Sequence, residues 1–374
     1  MKIGILTLPL QRNYGGLIQN WALQQILMRC GYESETIALI QPNLKLVIIR
    51  CASLIKCIIR KYLFNCKNVY IYSILNPEYN PSYPIYADNE FVKHINQSKF
   101  LIANLNLKRY IRKHEFDALI VGSDQVWREE YSPNILSYFL DFLPKEGKIK
   151  RIAYATSFGK EQDYISAEKI PECRRLLGLF DAVSVRENEG FDIVKRDFGR
   201  EQVEKVLDPT LLLTAEDYEK IIQPKDRHHK PYIASYILDK SEDKASILKQ
   251  IADIKKLPID EIDTEVKSGK MATMSQWLAN FADADFVMTD SFHGTVFSII
   301  FGKPFVAIAN KERGLDRFIS LLCELNLLDR LIFDINDFEA NKEQLLSGID
   351  YALIKNRLNT LRKNSIKFLD DALS

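Results

Sequence analysis

The stretch DFVMTDSFHGTVFSIIFGKPFVAI, residues Asp285–Ile308, decides the fold class. Its apolar start at 285–289 predicts a buried strand, the segment from Gly294 a helix, and PFVAIA a second strand. A strand, a helix and a further strand indicate a βαβ unit of a parallel sheet. The polar turn at 290–293 then follows the carboxyl end of the first strand, where parallel sheets bind their ligands.

The same pattern recurs along the rest of the chain. Apolar strand candidates run into polar or glycine-containing loops at 2–8, 116–127, 151–159 and 180–188. A polar, proline-bounded segment, PKDRHHKP at 224–231, separates them from a second series that starts with YIASYIL.

A chain of 374 residues is long enough for two domains. We therefore expect an α/β protein with two Rossmann-like βαβ domains facing a cleft, a common place for a small-molecule site. The expected limits are 1–222 for the first domain, 223–345 for the second, and 346–374 for a helical tail that packs back across both.

Composition excludes several classes of protein. Hydrophobic residues make up 47% and charged residues 27%, as in ordinary globular proteins, and a net charge of +1 gives no reason to expect a nucleic-acid partner. The six cysteines form no C-x-x-C pair, which favours a reducing, cytoplasmic setting. No run of 18 apolar residues occurs, and the apolar start of the chain is expected to be a strand and not a signal peptide.

Residues 45–67, KLVIIRCASLIKCIIRKYLFNCK, combine basic and apolar residues and contain no acidic one. As a helix this segment places most of its basic residues on one arc, so it could lie on the anionic inner face of a membrane. The alternative is a helix packed on the first domain with its lysines in solvent.

The turn at 290–293 contains the most informative side chains. At a helix N-terminus, the unpaired backbone N–H groups and the helix dipole favour an anion near Ser291 and Gly294. Ser291 or Asp290 could instead simply cap the helix. His293 suits proton transfer near neutral pH, and a hydrogen-bonded structural histidine is the alternative.

Arg186 follows a predicted strand in VSVREN, and its planar guanidinium suits a phosphate or carboxylate. The alternative is an ion pair with Glu187 or Glu189. No metal site is expected, because no second histidine or cysteine lies three or four residues from His293. NYGG at 13–16 matches neither G-x-G-x-x-G nor a P-loop, so a Rossmann cofactor is not supported.

Taken in order, several motifs resemble the polysaccharide pyruvyl transferase family. The matching stretches are NYGGLIQNWALQ (13–24), FDALIVGSDQVW (116–127), IAYATSFG (152–159), VSVREN (183–188), VLDPTLLL (206–213) and DSFHGTVFSIIFGKPFVAI (290–308). The resemblance implies a fold similar to the GT-B glycosyltransferases. It also implies transfer of a pyruvyl group from phosphoenolpyruvate to a sugar, with ketal formation across two hydroxyls and release of phosphate.

The resemblance further implies roles for individual residues. His293 corresponds to a proposed general acid and Arg186 to a residue proposed to bind the donor's anionic groups. Glu187 stands where family members often have aspartate, which leaves no role to carry over. By the same analogy, the first domain is the acceptor side and the second is the donor side. The alternative is that the glycines and serines of the acceptor loops only form tight turns at the strand ends. The acceptor loops contain Asn13, Gly15, Gly16, Ser123, Asp124, Ser157 and Gly159, and the donor turn contains Asp290, Ser291 and Gly294.

On this scheme the co-substrate is phosphoenolpyruvate, and neither a metal nor an organic cofactor is needed. The acceptor is a nucleotide-linked or lipid-linked sugar or an oligosaccharide of a cell-surface glycan such as a capsule or exopolysaccharide. Asp124 and Asp290 are the candidates for activating its hydroxyls. Two alternatives stay open at this point: a GT-B glycosyltransferase with a nucleotide-sugar donor, and a non-catalytic partner in glycan biosynthesis.

Overall fold

The computed structural model describes residues 1–10, 13–40, 88–102, 106–262, 271–309 and 314–374. Its strands form two parallel sheets and a two-stranded ribbon. The first sheet has the order β2-β1-β5-β6-β7-β8. Its strands are β1 (Lys2–Leu6), β2 (Glu33–Thr36), β5 (Ala118–Asp124), β6 (Lys150–Thr156), β7 (Ala182–Val185) and β8 (Glu204–Lys205). The ribbon pairs β3 (Leu39–Ile40) with β4 (Leu101–Ile102).

The second sheet has the order β10-β9-β11-β12-β13, again all parallel. Its strands are β9 (Ile233–Tyr236), β10 (Ile259–Glu261), β11 (Phe286–Thr289), β12 (Phe305–Ile308) and β13 (Leu331–Ile332). Strands β9, β11 and β12 are buried along their whole length. This explains why they appear in the sequence as continuous apolar runs instead of alternating patterns.

Helices connect the strands and cover the sheets. In chain order they are α1 (Tyr14–Arg29), α2 (Asn89–Val92), α3 (Lys108–His114), α4 (Ile170–Leu177), α5 (Asn188–Phe198), α6 (Pro209–Leu212), α7 (Ala215–Glu219), α8 (Glu242–Lys255), α9 (Met274–Ala282), α10 (Phe292–Ile300), α11 (Leu315–Leu325), α12 (Ile335–Leu346) and α13 (Tyr351–Leu373). Short 3₁₀ turns include Glu129–Tyr131, Ile135–Phe139, Pro224–Asp226 and Leu328–Arg330.

In each sheet, the order in which the chain adds strands changes side once. The chain places β2 on one side of β1 and then crosses to β5 on the other side. The second sheet does the same, with β10 on one side of β9 and β11 on the other. Loops diverge at such a switch point and leave a crevice at the carboxyl ends of the strands. The topology therefore provides one crevice in each sheet.

The largest apolar cluster is shared by the two sheets. It joins buried residues of α1 and α6 on the first sheet to residues of α9 and α10 on the second, for example Leu17 and Leu211 to Trp277 and Phe297. Separate clusters fill the far side of each sheet. Because burying apolar area is the main favourable term in folding, this shared core holds the two sheets together as well as stabilising each.

The last helix, α13, contacts elements of both sheets. Near its start, Tyr351 donates a hydrogen bond to the Lys303 carbonyl at 2.6 Å, beside β12. Farther along, Ser365 accepts from the Leu207 amide at 2.9 Å, and Phe368 packs against Tyr154 of β6. The strands of the two sheets thus occupy 2–205 and 233–332, whereas the domain limits at 222 and 345 remain predictions.

Two expectations concern membranes. Within the described part of the chain, no helix is both long enough and apolar enough to cross a bilayer. The basic segment 45–67 lies outside the described residues. Its contact with a membrane surface therefore stays a prediction from the sequence.

Candidate active site

A cavity of about 380 Å³ lies where the switch points of the two sheets meet. The loops after β1 and β5 form one wall, and the loops after β9 and β11 together with the start of α11 form the other. The lining residues are Leu8, Asn13, Tyr14, Gly15, Asp124, Gln125, Tyr131, Tyr236, Leu238, Met271, Asp290, Ser291, Phe292, His293, Arg317 and Phe318. A cavity of this size suits a small metabolite together with part of a second substrate.

The N-terminus of α10 opens onto this cavity. Ser291 is the cap residue, and its hydroxyl accepts a hydrogen bond from the Gly294 amide at 3.4 Å. The Ser291 amide is held by Thr289 at 3.1 Å. The amides of Phe292 and His293, in the first turn, have no carbonyl within the helix to pair with. An anion on this side of the cavity would therefore meet backbone donors and the positive end of the helix dipole.

His293 is 7% exposed, and its ring lies close to Gly15 at the start of α1. A Cβ on Gly15 would lie 2.0 Å from its Nδ1, so the ring occupies space that only glycine leaves open. Among the described residues, its Nε2 is buried and has no hydrogen-bond partner. Such an atom costs about 1–3 kcal/mol unless a ligand or water pairs with it.

Burial lowers the pKa of His293 to about 4, against the opposing attraction of Asp208 and Asp124. The positive charges of Arg186 and Arg317 lower it further. The imidazole is therefore neutral at pH 7 in the free protein. A negatively charged ligand would shift this balance towards the imidazolium.

Asp290 is fully buried, and it does not cap α10. Its Oδ1 accepts from the Leu238 amide at 2.6 Å, and its Oδ2 accepts from the Asp239 amide at 3.0 Å and from Lys244 at 2.7 Å. Both oxygens thus tie the loop after β9 to the turn after β11. Asp290 shapes the cavity wall, and its carboxylate is occupied.

Arg186 does not line the cavity, in contrast to the expectation that it would project towards a donor. Its side chain is 1% exposed, and its Nη1 lies 2.7 Å from Asp208. Asp124 lies 3.4 Å from Nη2 and Glu187 lies 3.6 Å from Nε. The ion pair with Glu187, raised as an alternative, is therefore present, while Glu189 is not among these three partners. The Arg186 side chain therefore points to the carboxylates of the neighbouring loops, behind the cavity wall, and not into the cavity.

The charges of this network support one another. Burial opposes the charge on Arg186, but Asp208, Asp124 and Glu187 outweigh it and raise its pKa. Burial likewise opposes the charge on Asp208. The charge of His293, which is protonated in the acid range where Asp208 titrates, together with Arg186 and the hydrogen bonds from Thr210, lowers the pKa of Asp208 overall. Burial raises the pKa of Glu187 despite the attraction of Arg186.

We expect Arg186→Met to lower the free energy of unfolding by roughly 3–5 kcal/mol, because it leaves Asp208 and Asp124 without their buried cation. Urea unfolding at pH 7 measures this loss. Arg196→Met is the matched control, since Arg196 pairs with Asp197 at the surface and is 55% exposed. The control should cost roughly 1 kcal/mol or less. Equal losses in the two variants would contradict a stabilising role for the buried network.

Arg317 is a cavity residue that the sequence did not single out. It is 7% exposed and lies in the first turn of α11, with its guanidinium 5.2 Å from the ring centre of Phe292. Burial and the nearby charge of Arg186 lower its pKa to about 10, so it is a cation at neutral pH. The available signal was its place in RGLDRF, shortly after the strand PFVAI. Arg186 directly follows β7, whereas Arg317 lies nine residues after β12 and inside a helix, so the strand-end rule did not point to it.

The other predicted residues divide into two groups. Asn13, Gly15 and Asp124 from the first sheet line the cavity together with Asp290, Ser291 and His293 from the second. The others lie behind this surface. Ser123 donates to Asp208 at 3.3 Å, and the backbone of Ser157 pairs with Asp124 at 3.1 Å. The members of the second group are Gly16, Ser123, Ser157, Gly159, Arg186 and Gly294.

Gly159 supports the site from behind. Its φ of +73° lies in the left-handed region, and a Cβ there would come within 1.8 Å of Gln125 Oε1. Gln125 itself lines the cavity.

Among the described residues, no cluster of three or more histidine, cysteine, aspartate or glutamate side chains could hold a metal ion.

Comparison with solved structures shows the fold. UDP-GlcNAc 2-epimerase of Methanocaldococcus jannaschii, solved with UDP-GlcNAc and UDP, has a TM-score of 0.50 at 14% identity and covers 93% of this chain and 94% of its own. The Neisseria meningitidis UDP-GlcNAc 2-epimerase, bound to UDP-GlcNAc, scores 0.51 at 11% identity, with 100% and 99% covered. A mutant O-GlcNAc transferase of Thermobaculum terrenum scores 0.50 at 11% identity, with 100% and 66% covered.

These proteins share the GT-B architecture, so the chain is a two-domain α/β protein of the GT-B class. The family model for polysaccharide pyruvyl transferase matches residues 13–312, most of the sequence. The chain therefore belongs to the polysaccharide pyruvyl transferase family, a family of transferases. A comparison with curated protein sequences found no match.

Proposed function

We propose that this protein transfers a pyruvyl group from phosphoenolpyruvate to a sugar of a cell-surface glycan or its precursor. The product is a cyclic ketal, and phosphate is released. The observation that carries the proposal is the cavity wall on which His293, the open N-terminus of α10 and Arg317 lie together. This wall combines an acid, backbone donors and a cation, the groups that an anionic enol phosphate requires.

The reaction proceeds in two additions. His293 protonates the methylene carbon of phosphoenolpyruvate, and a sugar hydroxyl attacks the resulting oxocarbenium-like carbon and forms the first C–O bond. The bond from this carbon to the phosphate oxygen then breaks, and the phosphate leaves with its electron pair. A second hydroxyl attacks the same carbon and closes the ketal. Each hydroxyl loses one proton: one of these protons replaces the proton given by His293, and the other leaves with the phosphate.

Asp124 is the better of the two candidates for accepting a hydroxyl proton. It lines the cavity from the first sheet, and its hydrogen bonds from the Gln125 amide and Arg186 both go to Oδ1. Asp290 is disfavoured because both of its oxygens already accept hydrogen bonds from the β9 loop and Lys244. On this scheme the first sheet faces the acceptor and the second faces the donor, and no cofactor takes part.

Arg317 is proposed to bind an anionic group of the donor. Arg186 is unsuited to this role, because three carboxylates surround it. We expect Arg317→Gln to raise the KM for phosphoenolpyruvate roughly 10- to 100-fold, the worth of a hydrogen bond to a charged group. Arg317→Lys should recover part of this loss, because lysine keeps the charge without the planar fork. An unchanged KM in steady-state phosphate release would contradict the assignment.

Donor binding should be coupled to proton uptake. Because the pKa of His293 is about 4 in the free protein, the imidazole is neutral at pH 7 and gains a proton only when a bound anion raises its pKa. Calorimetry of phosphoenolpyruvate binding without acceptor, in buffers of different ionisation enthalpy, counts the protons taken up. We expect His293→Gln to take up fewer protons than the wild type, by up to about one. Equal uptake would mean that His293 stays neutral in the complex.

The proposed function is tested by phosphate release from phosphoenolpyruvate against a panel of sugar nucleotides, lipid-linked sugars and oligosaccharides. We expect release with at least one acceptor, and stabilisation of the protein by phosphoenolpyruvate alone in thermal unfolding. Stabilisation by UDP-sugars and not by phosphoenolpyruvate would favour a nucleotide-sugar glycosyltransferase instead. Absence of both effects would favour a non-catalytic partner in glycan biosynthesis.

We place this reaction in the cytoplasm, where phosphoenolpyruvate and nucleotide-linked precursors are both present. A lipid-linked acceptor would bring the protein to the inner face of the membrane.

A further inference from the structure

A second cavity, of about 670 Å³, lies between the two sheets farther along α1. Trp21 of α1 lines it, seven residues after Tyr14, which lines the first cavity. Seven residues are nearly two helical turns, or about 10 Å, and return the side chain to the same face. The start of α2 and the N-terminal turn of α9 form the opposite walls, through Asp88 and Gln276 for example.

Trp21 is a half-buried platform in this cavity. Its ring packs at 6.0 Å from both Phe91 and Tyr218, in tilted geometry, which restrains its orientation. The remaining surface of the ring is part of the cavity lining. A tryptophan that is restrained on one side and accessible on the other offers a rigid, flat apolar surface to a ligand.

The charges around the platform are mostly paired within the protein. Arg29 lies 2.6 Å from Asp217, and Asp226 accepts a hydrogen bond from Ser275 at 2.6 Å. Asp88 accepts from the Met274 amide at 2.7 Å, which joins the first domain to the start of α9. The lining thus contains cations and carboxylates in similar numbers. This favours an uncharged ligand over a phosphate or a polyamine.

Side-chain amides add donors and acceptors beside the ring. Gln25 lies one helical turn beyond Trp21, and Gln276 lies in the capping box that opens α9, where its Oε1 accepts from the Thr273 amide. A flat apolar surface with amides and carboxylates at its edge is complementary to a pyranose, which has C–H groups on its faces and hydroxyls on its rim.

We propose that this second cavity binds a neutral oligosaccharide, with one sugar ring stacked on Trp21 and its hydroxyls bonded to Gln25 and neighbouring carboxylates. The inference does not depend on the reaction in the first cavity. If the proposed function also holds, the distance of about two helical turns along α1 suits a glycan with non-reacting units in the second cavity and its reacting sugar in the first.

The tryptophans of this chain allow a direct test. The sequence contains three, and Trp127 and Trp277 are both 0% exposed. Acrylamide quenching of the intrinsic fluorescence should therefore report almost entirely on Trp21. The probes are maltotriose, cellotriose, xylotriose and a galactotriose. Each is added at up to roughly 10 mM, so that binding with a dissociation constant in the millimolar range is detected. We expect at least one of them to lower the quenching constant about twofold or more.

Phosphoenolpyruvate and inorganic phosphate should leave the quenching constant unchanged, because they enter the first cavity. In Trp21→Phe, the accessible fraction of the fluorescence should be absent with and without sugar. Gln25→Ala should keep the quenching of the free protein and weaken sugar binding about two- to tenfold, the loss of one hydrogen bond. Lack of protection by every probe, or equal protection by phosphate, would overturn the inference. Either result would leave phosphate release in the first cavity as a separate question.

Discussion

Replacing His293 by glutamine is expected to lower kcat for phosphate release by about 10²–10⁴-fold, the usual contribution of a positioned general acid. Glutamine has a similar length and can donate a hydrogen bond, but it cannot deliver a proton to the methylene carbon of the donor. The KM for phosphoenolpyruvate should change much less, because Arg317 and the amides of α10 are retained. Steady-state phosphate release with a fixed acceptor separates the two constants.

His229→Gln is the control for this measurement. His229 is exposed in the segment that joins the two sheets, and it lies in neither cavity. Its replacement should leave kcat within about twofold, as for surface substitutions away from any special feature. If His293→Gln retained the wild-type kcat, His293 would be a structural residue, the alternative that the sequence left open.

Gly15→Ala is expected to lower kcat about 100-fold, although Gly15 itself supplies no chemical group. The added methyl would lie 2.0 Å from Nδ1 and 2.5 Å from Cε1 of His293, so the ring must move. A displacement of about 1 Å of a catalytic group costs on the order of 10²-fold in rate. Alanine in a helix is more stable than glycine by about 0.5–1 kcal/mol. The lower kcat is therefore not expected to come from unfolding of α1.

Gly16→Ala is the matched substitution at the next position of the same helical turn. A Cβ there would lie 3.3 Å from Asn13 Nδ2, at the flexible end of an exposed side chain, and Gly16 is not among the residues lining the first cavity. We expect this variant to keep kcat within a few fold and to gain the same helix propensity. Equal losses in both variants would assign the effect to the start of α1 and not to the contact with His293.

Much of the fold was accessible from local patterns. DFVMT and PFVAI are continuous apolar runs because β11 and β12 are buried on both faces, and the helix between them begins where Ser291 can cap it. Propensity, burial pattern and capping act over a few residues, so a single sequence reveals them. The GT-B architecture and the family were likewise predicted from the ordered motifs, and both are confirmed.

The sequence by itself identified the candidates for the chemistry: a histidine and a serine at a predicted helix N-terminus, and polar loops after buried strands. Only the tertiary structure decided which of them meet. It placed Gly15 against His293, 278 positions later, surrounded Arg186 with carboxylates, and brought Arg317 to the cavity instead. It also placed Trp21 beside a second cavity. The physical reason is that contacts between distant residues depend on strand order and on the packing of the two sheets, which no local pattern encodes.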